Sequence, residues 1–148
     1  KPSTLKRQTP VTAMSHSLEL PENMATFSNA GRCWNGFQVE VNEFTCTGHV
    51  LFQMEGHESD TRLGALLEEV GRDHAETRAS ANTPCPVEYR PRHMYFAPAH
   101  MELWGHSDDT RYVKCASISF DVKRIHERLG ISPGTGLIDV PRLRFQRA

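Results

Sequence analysis

Apolar and polar positions alternate along much of this chain in short runs that are typical of β-strands. Phe37, Val39 and Val41 are separated by polar residues, so we expect a strand with one buried face. The nearly continuous apolar run at residues 50–54 predicts a strand that is covered on both faces. The segment 63–70 has helix-favouring composition, but it lies between turn-rich segments and ends at Gly71, so a strand is the preferred interpretation.

Further strands are predicted in the second half. Residues 94–97 and 101–104 flank Pro98 and indicate two short strands, and residues 107–110 form a polar turn. Residues 112–120 alternate well, and this strand has one face made of small and apolar side chains: Val113, Cys115, Ser117 and Ser119.

One helix is well specified by the sequence. Asp121 is a favourable N-cap, Val122, Ile125 and Leu129 recur at helical spacing, and Gly130 is placed to end the helix. Many short strands followed by one late helix predict a mainly β fold, an antiparallel barrel or sandwich with a helix packed at its end.

Length and composition set the domain organisation. The chain has 148 residues, of which 38% are apolar, and we expect one globular domain at 23–148. Residues 1–22 contain three prolines and no sustained apolar period, which predicts a flexible N-terminal arm. The net charge of −1 argues against direct binding of nucleic acid, which requires clustered Lys and Arg. The chain starts at Lys1 and stops after a basic stretch, so we expect a fragment of a longer protein.

The cysteine pattern and the absence of long apolar runs bear on location. The four cysteines form no CxxC pair, so neither a zinc ribbon nor a thioredoxin motif is present, and a reducing compartment fits best. No apolar run approaches the roughly 20 residues that span a bilayer, and the N-terminus lacks a signal peptide. We therefore expect a cytoplasmic protein without a membrane partner.

The densest group of chemically capable side chains lies at residues 93–106. If the chain is extended here, His100, Glu102, Trp104 and His106 share one face. Two imidazoles and a carboxylate could hold iron or zinc, which leaves a metal-dependent enzyme as the alternative function. However, residues 100 and 106 of a straight strand are about 20 Å apart, which is too far for one ion. No phosphate loop, nucleophile elbow or cysteine hydrolase signature is present, so we expect no enzyme and no cofactor.

A small-molecule pocket accounts for these residues better than a metal does. Trp104 offers an aromatic face, and Cys115 and Ser117 on the following strand offer small polar groups, although both are also typical fillers of a barrel interior. Trp34, which has glycines on both sides, could be a lid over a barrel mouth or an anchor for the chain. His100 and Glu102 are included as candidate ligand-binding residues.

Three segments together resemble the N-terminal effector-binding domain of AraC-type bacterial transcription regulators. They are residues 30–36 leading into a strand, residues 96–105 around a turn, and residues 111–120 running into the helix; the resemblance covers about 27–147. It implies a cupin-like barrel (a double-stranded β-helix or jelly roll) that binds a small-molecule effector and forms a homodimer. It also implies a C-terminal helix-turn-helix half, absent from this chain, through which alone DNA would be bound.

The resemblance also implies site residues. Positions matching Trp104, Cys115 and Ser117 look inward at the ligand in sugar-sensing members, and the N-terminal arm can fold across the barrel mouth. Cys and Ser are smaller than the usual sugar-binding groups, so a smaller or more apolar effector is expected. Catalytic cupins present His-x-His followed by Glu, and residues 48–55 lack that pair of histidines. A third hypothesis is a plain dimerisation module with a vestigial pocket.

Overall fold

The computed structural model describes residues 20–34, 36–56, 61–86, 88–90 and 92–132, and the backbone of 144–147. Within these ranges the chain forms nine strands and one helix, so the mainly β prediction is confirmed. In chain order the elements are β1 (Met24–Trp34), β2 (Phe37–Cys46), β3 (Val50–Met54), β4 (Thr61–Gly71), β5 (Glu76–Arg78), β6 (His93–Ala97), β7 (Leu103–Ser107), β8 (Thr110–Phe120), α1 (Val122–Leu129) and β9 (Arg144–Arg147).

Six strands form a large antiparallel sheet in the order β1-β2-β8-β4-β6-β9. Strand β8, the strand with the best alternation in the second half of the sequence, pairs with both β2 and β4. The segment 63–70 lies inside β4, which confirms the preferred strand interpretation over a helix. Tertiary pairing on both edges of β4 overrides the helical propensity of its Ala, Leu and Glu residues.

Three short strands form a second antiparallel sheet in the order β3-β7-β5. Its β3 contributes Val50 to a buried cluster in which Met24, Phe44 and Cys46 come from the large sheet, and Phe52 packs against the same cluster. At another point Arg62 Nη1 of β4 lies 3.8 Å from Met54 Sδ of β3. The faces of the two sheets that carry these residues, their inner faces, therefore look toward one another.

The helix forms where its end signals predicted it. Asp121 has extended backbone angles, and its carboxylate accepts a hydrogen bond of 3.1 Å from Arg124 N. Gly130 adopts a left-handed conformation with φ 65°, and the amides of Gly130 and Ile131 bond to Glu127 O and His126 O. This pair of bonds is the Schellman motif. None of the helical residues is buried, so α1 lies on the surface.

Several predicted features lie outside the described residues. Residues 1–19 of the predicted arm, the turn residues 57–60 and residues 133–143 belong to this group. None of the four cysteines, all in described segments, forms a disulfide. In the part of the chain that the structure describes, no helix has the length and apolar character needed to cross a membrane.

Candidate functional site

An open cavity of about 1150 Å³ lies between the inner faces of the two sheets. On the large sheet it is lined by every second residue of the paired strands β2 and β8, which follows from the period-two alternation of side chains. These residues are Gln38, Glu40, Asn42 and Phe44 of β2 and Val113, Cys115, Ser117 and Ser119 of β8.

The polarity of the cavity changes along the strands. At one end Gln38 and Arg62 both lie opposite Ser119 in the sheet, and Glu40 lies opposite Ser117. At the other end the lining is apolar, because Phe44 lies opposite Val113 and packs with the buried cluster around Met24, Phe44, Cys46 and Val50. A molecule with a polar head and an apolar body would match this gradient.

Two aromatic rings lie against glycines on opposite walls of the cavity. Tyr95 pairs with Gly64 in the large sheet, and a Cβ added to Gly64 would lie 2.2 Å from Tyr95 Cζ. Phe52 pairs with Gly105 in the small sheet, where an added Cβ would lie 2.0 Å from Phe52 Cε1. Because these glycines lack a side chain, each ring rests close to its sheet, which leaves space between the two walls. The flat faces of such rings can stack on a planar ligand.

Polar side chains of the large sheet hold one another in place. Gln38 Nε2 donates a 2.6 Å hydrogen bond to Glu40 Oε1, and Asn29 Nδ2 donates to Asn42 Oδ1. Both acceptors keep a second lone pair that can accept a hydrogen bond from a ligand. The polar end of the cavity can thus orient a ligand through preformed groups.

Two titratable groups on the cavity wall, the Tyr95 hydroxyl and the Cys115 thiol, are protonated at neutral pH. Burial raises the pKa of the Tyr95 hydroxyl to about 12 and that of the Cys115 thiol to about 11. A protonated thiol is a poor nucleophile and a poor metal ligand. Cys115 therefore serves as a small, neutral wall residue rather than a reactive group.

Among the residues predicted from sequence, Cys115 and Ser117 lie on the cavity wall. Trp104 also borders the cavity, but the alternation of β7 places its side chain on the opposite face from Gly105. Gly105 shares the face of Phe52, which packs into the buried cluster. Trp104, Cys115 and Ser117 nevertheless all border the same cavity. Their role in ligand binding stays a prediction, and Phe52 and Tyr95 are two further aromatic side chains on the cavity walls.

The other three predicted site residues lie away from this cavity. His100 is exposed in the turn before β7 with φ 66°, and Glu102 is also exposed before the strand begins. The short strand predicted at 101–104 begins at Leu103, so His100 and Glu102 precede it and do not share a strand face with Trp104 and His106. Trp34 is 71% exposed and stacks on Phe37 with a centroid distance of 6.4 Å, which matches an anchor of the hairpin better than a lid.

The predicted metal triad His100, Glu102 and His106 is not formed. In the described ranges, the only group of three or more possible metal ligands joins His106 to His49 and Asp108 instead. Burial lowers the pKa of His106, and the hydrogen bond from His49 lowers the pKa of Asp108. Of this second cluster, His106 also borders the inter-sheet cavity.

Sequence reasoning missed Tyr95, Phe52 and Glu40 as wall residues. Gly64 and Gly105 are the sequence features that could have predicted these rings, because a glycine inside a strand often marks the close approach of another group. The identity of that group depends on strand pairing, which the sequence pattern did not specify.

No family model matches the chain, and neither a curated protein nor a solved structure matches it. The resemblance to AraC-type sensor domains therefore stays a prediction, and arguments about function rest on the geometry of the cavity.

Proposed function

We propose that this chain is a small-molecule sensor domain of the AraC type, which binds an effector between its two sheets. The observation that carries the proposal is the cavity of about 1150 Å³ with an aromatic ring on each wall. Ligand pockets in proteins are mostly about 300–1,000 Å³, so this space admits a small organic molecule. The cupin-like barrel, the homodimer and the absent DNA-binding half belong to the same proposal through the resemblance.

The wall residues suggest how an effector would be held. A planar apolar body would lie between Tyr95 and Phe52, with its apolar end toward Phe44. A polar head would reach Glu40 and Ser117, where a carboxylate and a hydroxyl accept or donate hydrogen bonds. The presence of Glu40 favours a head group that carries hydrogen-bond donors.

Sensing requires more than binding. An effector changes the behaviour of an attached domain only if it binds one of two arrangements more tightly than the other. Leu20 and Pro21, at the junction with the N-terminal segment, line the same cavity, so occupancy can act on that segment directly. Through Leu20 and Pro21, effector binding can change the position of the chain that precedes β1.

The test uses N-phenyl-1-naphthylamine, a neutral aromatic probe with an N–H donor whose fluorescence rises in apolar sites. Ser117→Phe fills the cavity wall, whereas Ile118→Phe adds a ring to the neighbouring position on the outer face. We expect the wild type and Ile118→Phe to bind one probe molecule with similar affinity. Ser117→Phe should bind at least about tenfold more weakly, equivalent to about 1.4 kcal/mol.

Circular dichroism of each variant checks that it is folded. The proposal fails if folded Ser117→Phe binds the probe as tightly as the wild type, because the probe would then occupy another surface. It also fails if Ile118→Phe weakens binding as much as Ser117→Phe.

A further inference from the structure

Strand pairing in the small sheet places three possible metal ligands on one face. Val50 of β3 lies opposite Ser107 of β7, so His49 and Asp108 are opposite one another one step further along. His106 is two residues before Asp108, and side chains two residues apart share a face of a strand. The three side chains therefore converge where β7 enters the turn to β8.

The distances fit metal coordination without a large movement. His49 Nδ1 lies 2.9 Å and His106 Nε2 lies 3.3 Å from Asp108 Oδ1. Around an ion with bonds of about 2.0–2.1 Å, neighbouring ligand atoms are about 2.9 Å apart at a right angle and about 3.3 Å apart at a tetrahedral angle. All three ligand atoms lie within 4.8 Å of one another, and the exposed His49 side chain is free to rotate closer.

A second carboxylate supports the buried imidazole. Glu76 of β5 lies opposite His106 in the sheet, and its Oε1 is 3.8 Å from His106 Nδ1. Arg78 Nε holds the same oxygen at 2.5 Å. Metal-binding histidines commonly direct their second ring nitrogen to a carboxylate, which fixes the tautomer and leaves Nε2 for the ion. At 3.8 Å the contact between Glu76 and His106 is longer than a hydrogen bond, so Glu76 acts on His106 through its charge, and a small shift of either side chain would close the bond.

The side chains differ in exposure in a way that leaves coordination positions open. The His106 side chain is 10% exposed, whereas those of His49 and Asp108 are 61% and 58% exposed. An ion held here would keep contact with solvent and would have room for water or another ligand. Two imidazoles and one carboxylate are a ligand set for first-row divalent ions.

We propose that His49, His106 and Asp108 form a binding site for a divalent transition-metal ion, with Zn²⁺ the ion that best suits them. Glu76 is a positioning residue that acts through His106. The site differs from the His100, Glu102 and His106 triad considered from the sequence, since it shares only His106 with it. His106 and Glu76 also border the inter-sheet cavity, but Zn²⁺ binding is measured without any effector, so its failure and the failure of the proposed sensor function are distinguishable.

The test is calorimetric titration of the chelator-stripped protein with Zn²⁺. Asp108→Asn removes a ligand charge, and Asp109→Asn is its matched control in the same turn. His49→Gln removes an exposed imidazole, and His100→Asn is its control, since Asn tolerates the positive φ at that position. Substitution by Co²⁺ gives a visible absorption band that reports the ligand field directly.

We expect the wild type and both controls to bind one Zn²⁺ with the same affinity within about twofold. Glu76→Gln should weaken binding by about 10–100-fold, as for other supporting carboxylates, and Asp108→Asn and His49→Gln should weaken it at least as much. The proposal is overturned if the wild type binds no stoichiometric Zn²⁺. It is equally overturned if Asp108→Asn and Asp109→Asn bind with the same affinity, because exposed thiols or other histidines would then hold the ion.

Discussion

Replacing Gly105 by Ala tests whether the Phe52 ring forms the wall of the cavity as described. An added Cβ would lie 2.0 Å from Phe52 Cε1 and 2.2 Å from Phe52 Cζ. Carbon atoms in contact are about 3.5–4.0 Å apart, so the ring must move by about 1.5 Å or more. Overpacking of this kind costs about 1–3 kcal/mol, and the lower chain entropy of Ala offsets about 0.5–1 kcal/mol of it.

We therefore expect Gly105→Ala to lower the free energy of unfolding by about 1–2 kcal/mol, measured by urea denaturation followed by circular dichroism. In a Phe52→Val background all three nearest ring atoms are gone. There the same Gly105→Ala substitution should be neutral or slightly stabilising. A double-mutant cycle of the four proteins isolates this coupling.

The reasoning is refuted if Gly105→Ala costs the same with and without the Phe52 ring, because the cost would then come from the backbone. It is also refuted if Gly105→Ala leaves the wild-type stability unchanged. The result bears on function, because a displaced Phe52 ring would enter the cavity and should weaken probe binding along with stability.

Three further predictions follow from local contacts. Asp121→Ala should destabilise the first turn of the helix by about 0.5–2 kcal/mol, because the N-cap hydrogen bond is lost. Amide hydrogen exchange in that turn should become faster, whereas Asp121→Asn, which keeps an acceptor, should change it little. The hydrogen bond from Tyr112 lowers the pKa of Glu43 from its ordinary value of 4.5, so the ionised carboxylate stabilises the fold above pH 4.5 and this contribution is lost as the pH falls. Tyr112→Phe should therefore make the free energy of unfolding, measured by urea denaturation between about pH 6 and 3, depend less on pH. Iodoacetamide should modify exposed Cys33 well before Cys115, because burial raises the pKa of Cys115 to about 11; equal rates in mass spectra would contradict this.

Local signals in the sequence were sufficient for features that depend on neighbouring residues. Asp121 and Gly130 predicted both ends of the helix, because capping requires only residues within one turn. The alternation of residues 112–120 predicted β8 and the face that lines the cavity. These features need no knowledge of which strands pair.

Features that depend on pairing between distant segments could not be predicted in the same way. The alternation in β7 groups Trp104 with His106, but it does not show which residue of another strand packs over Gly105 on the other face. The pairing of β3 with β7 places Phe52 opposite Gly105, where the ring needs the space that the glycine leaves. His49 and Asp108 are 59 residues apart in sequence, and only the register of β3 and β7 brings them together.

The central claim, that the inter-sheet cavity binds an amphipathic small molecule, is tested most directly by mapping amide chemical shifts of the ¹⁵N-labelled protein during titration with N-phenyl-1-naphthylamine. The proposal predicts that shifts concentrate at Asn42, Cys115 and Ser117 on the cavity wall. The claim is contradicted if these amides stay unchanged while those of Phe27 and Trp34, which are 70% and 71% exposed, shift instead.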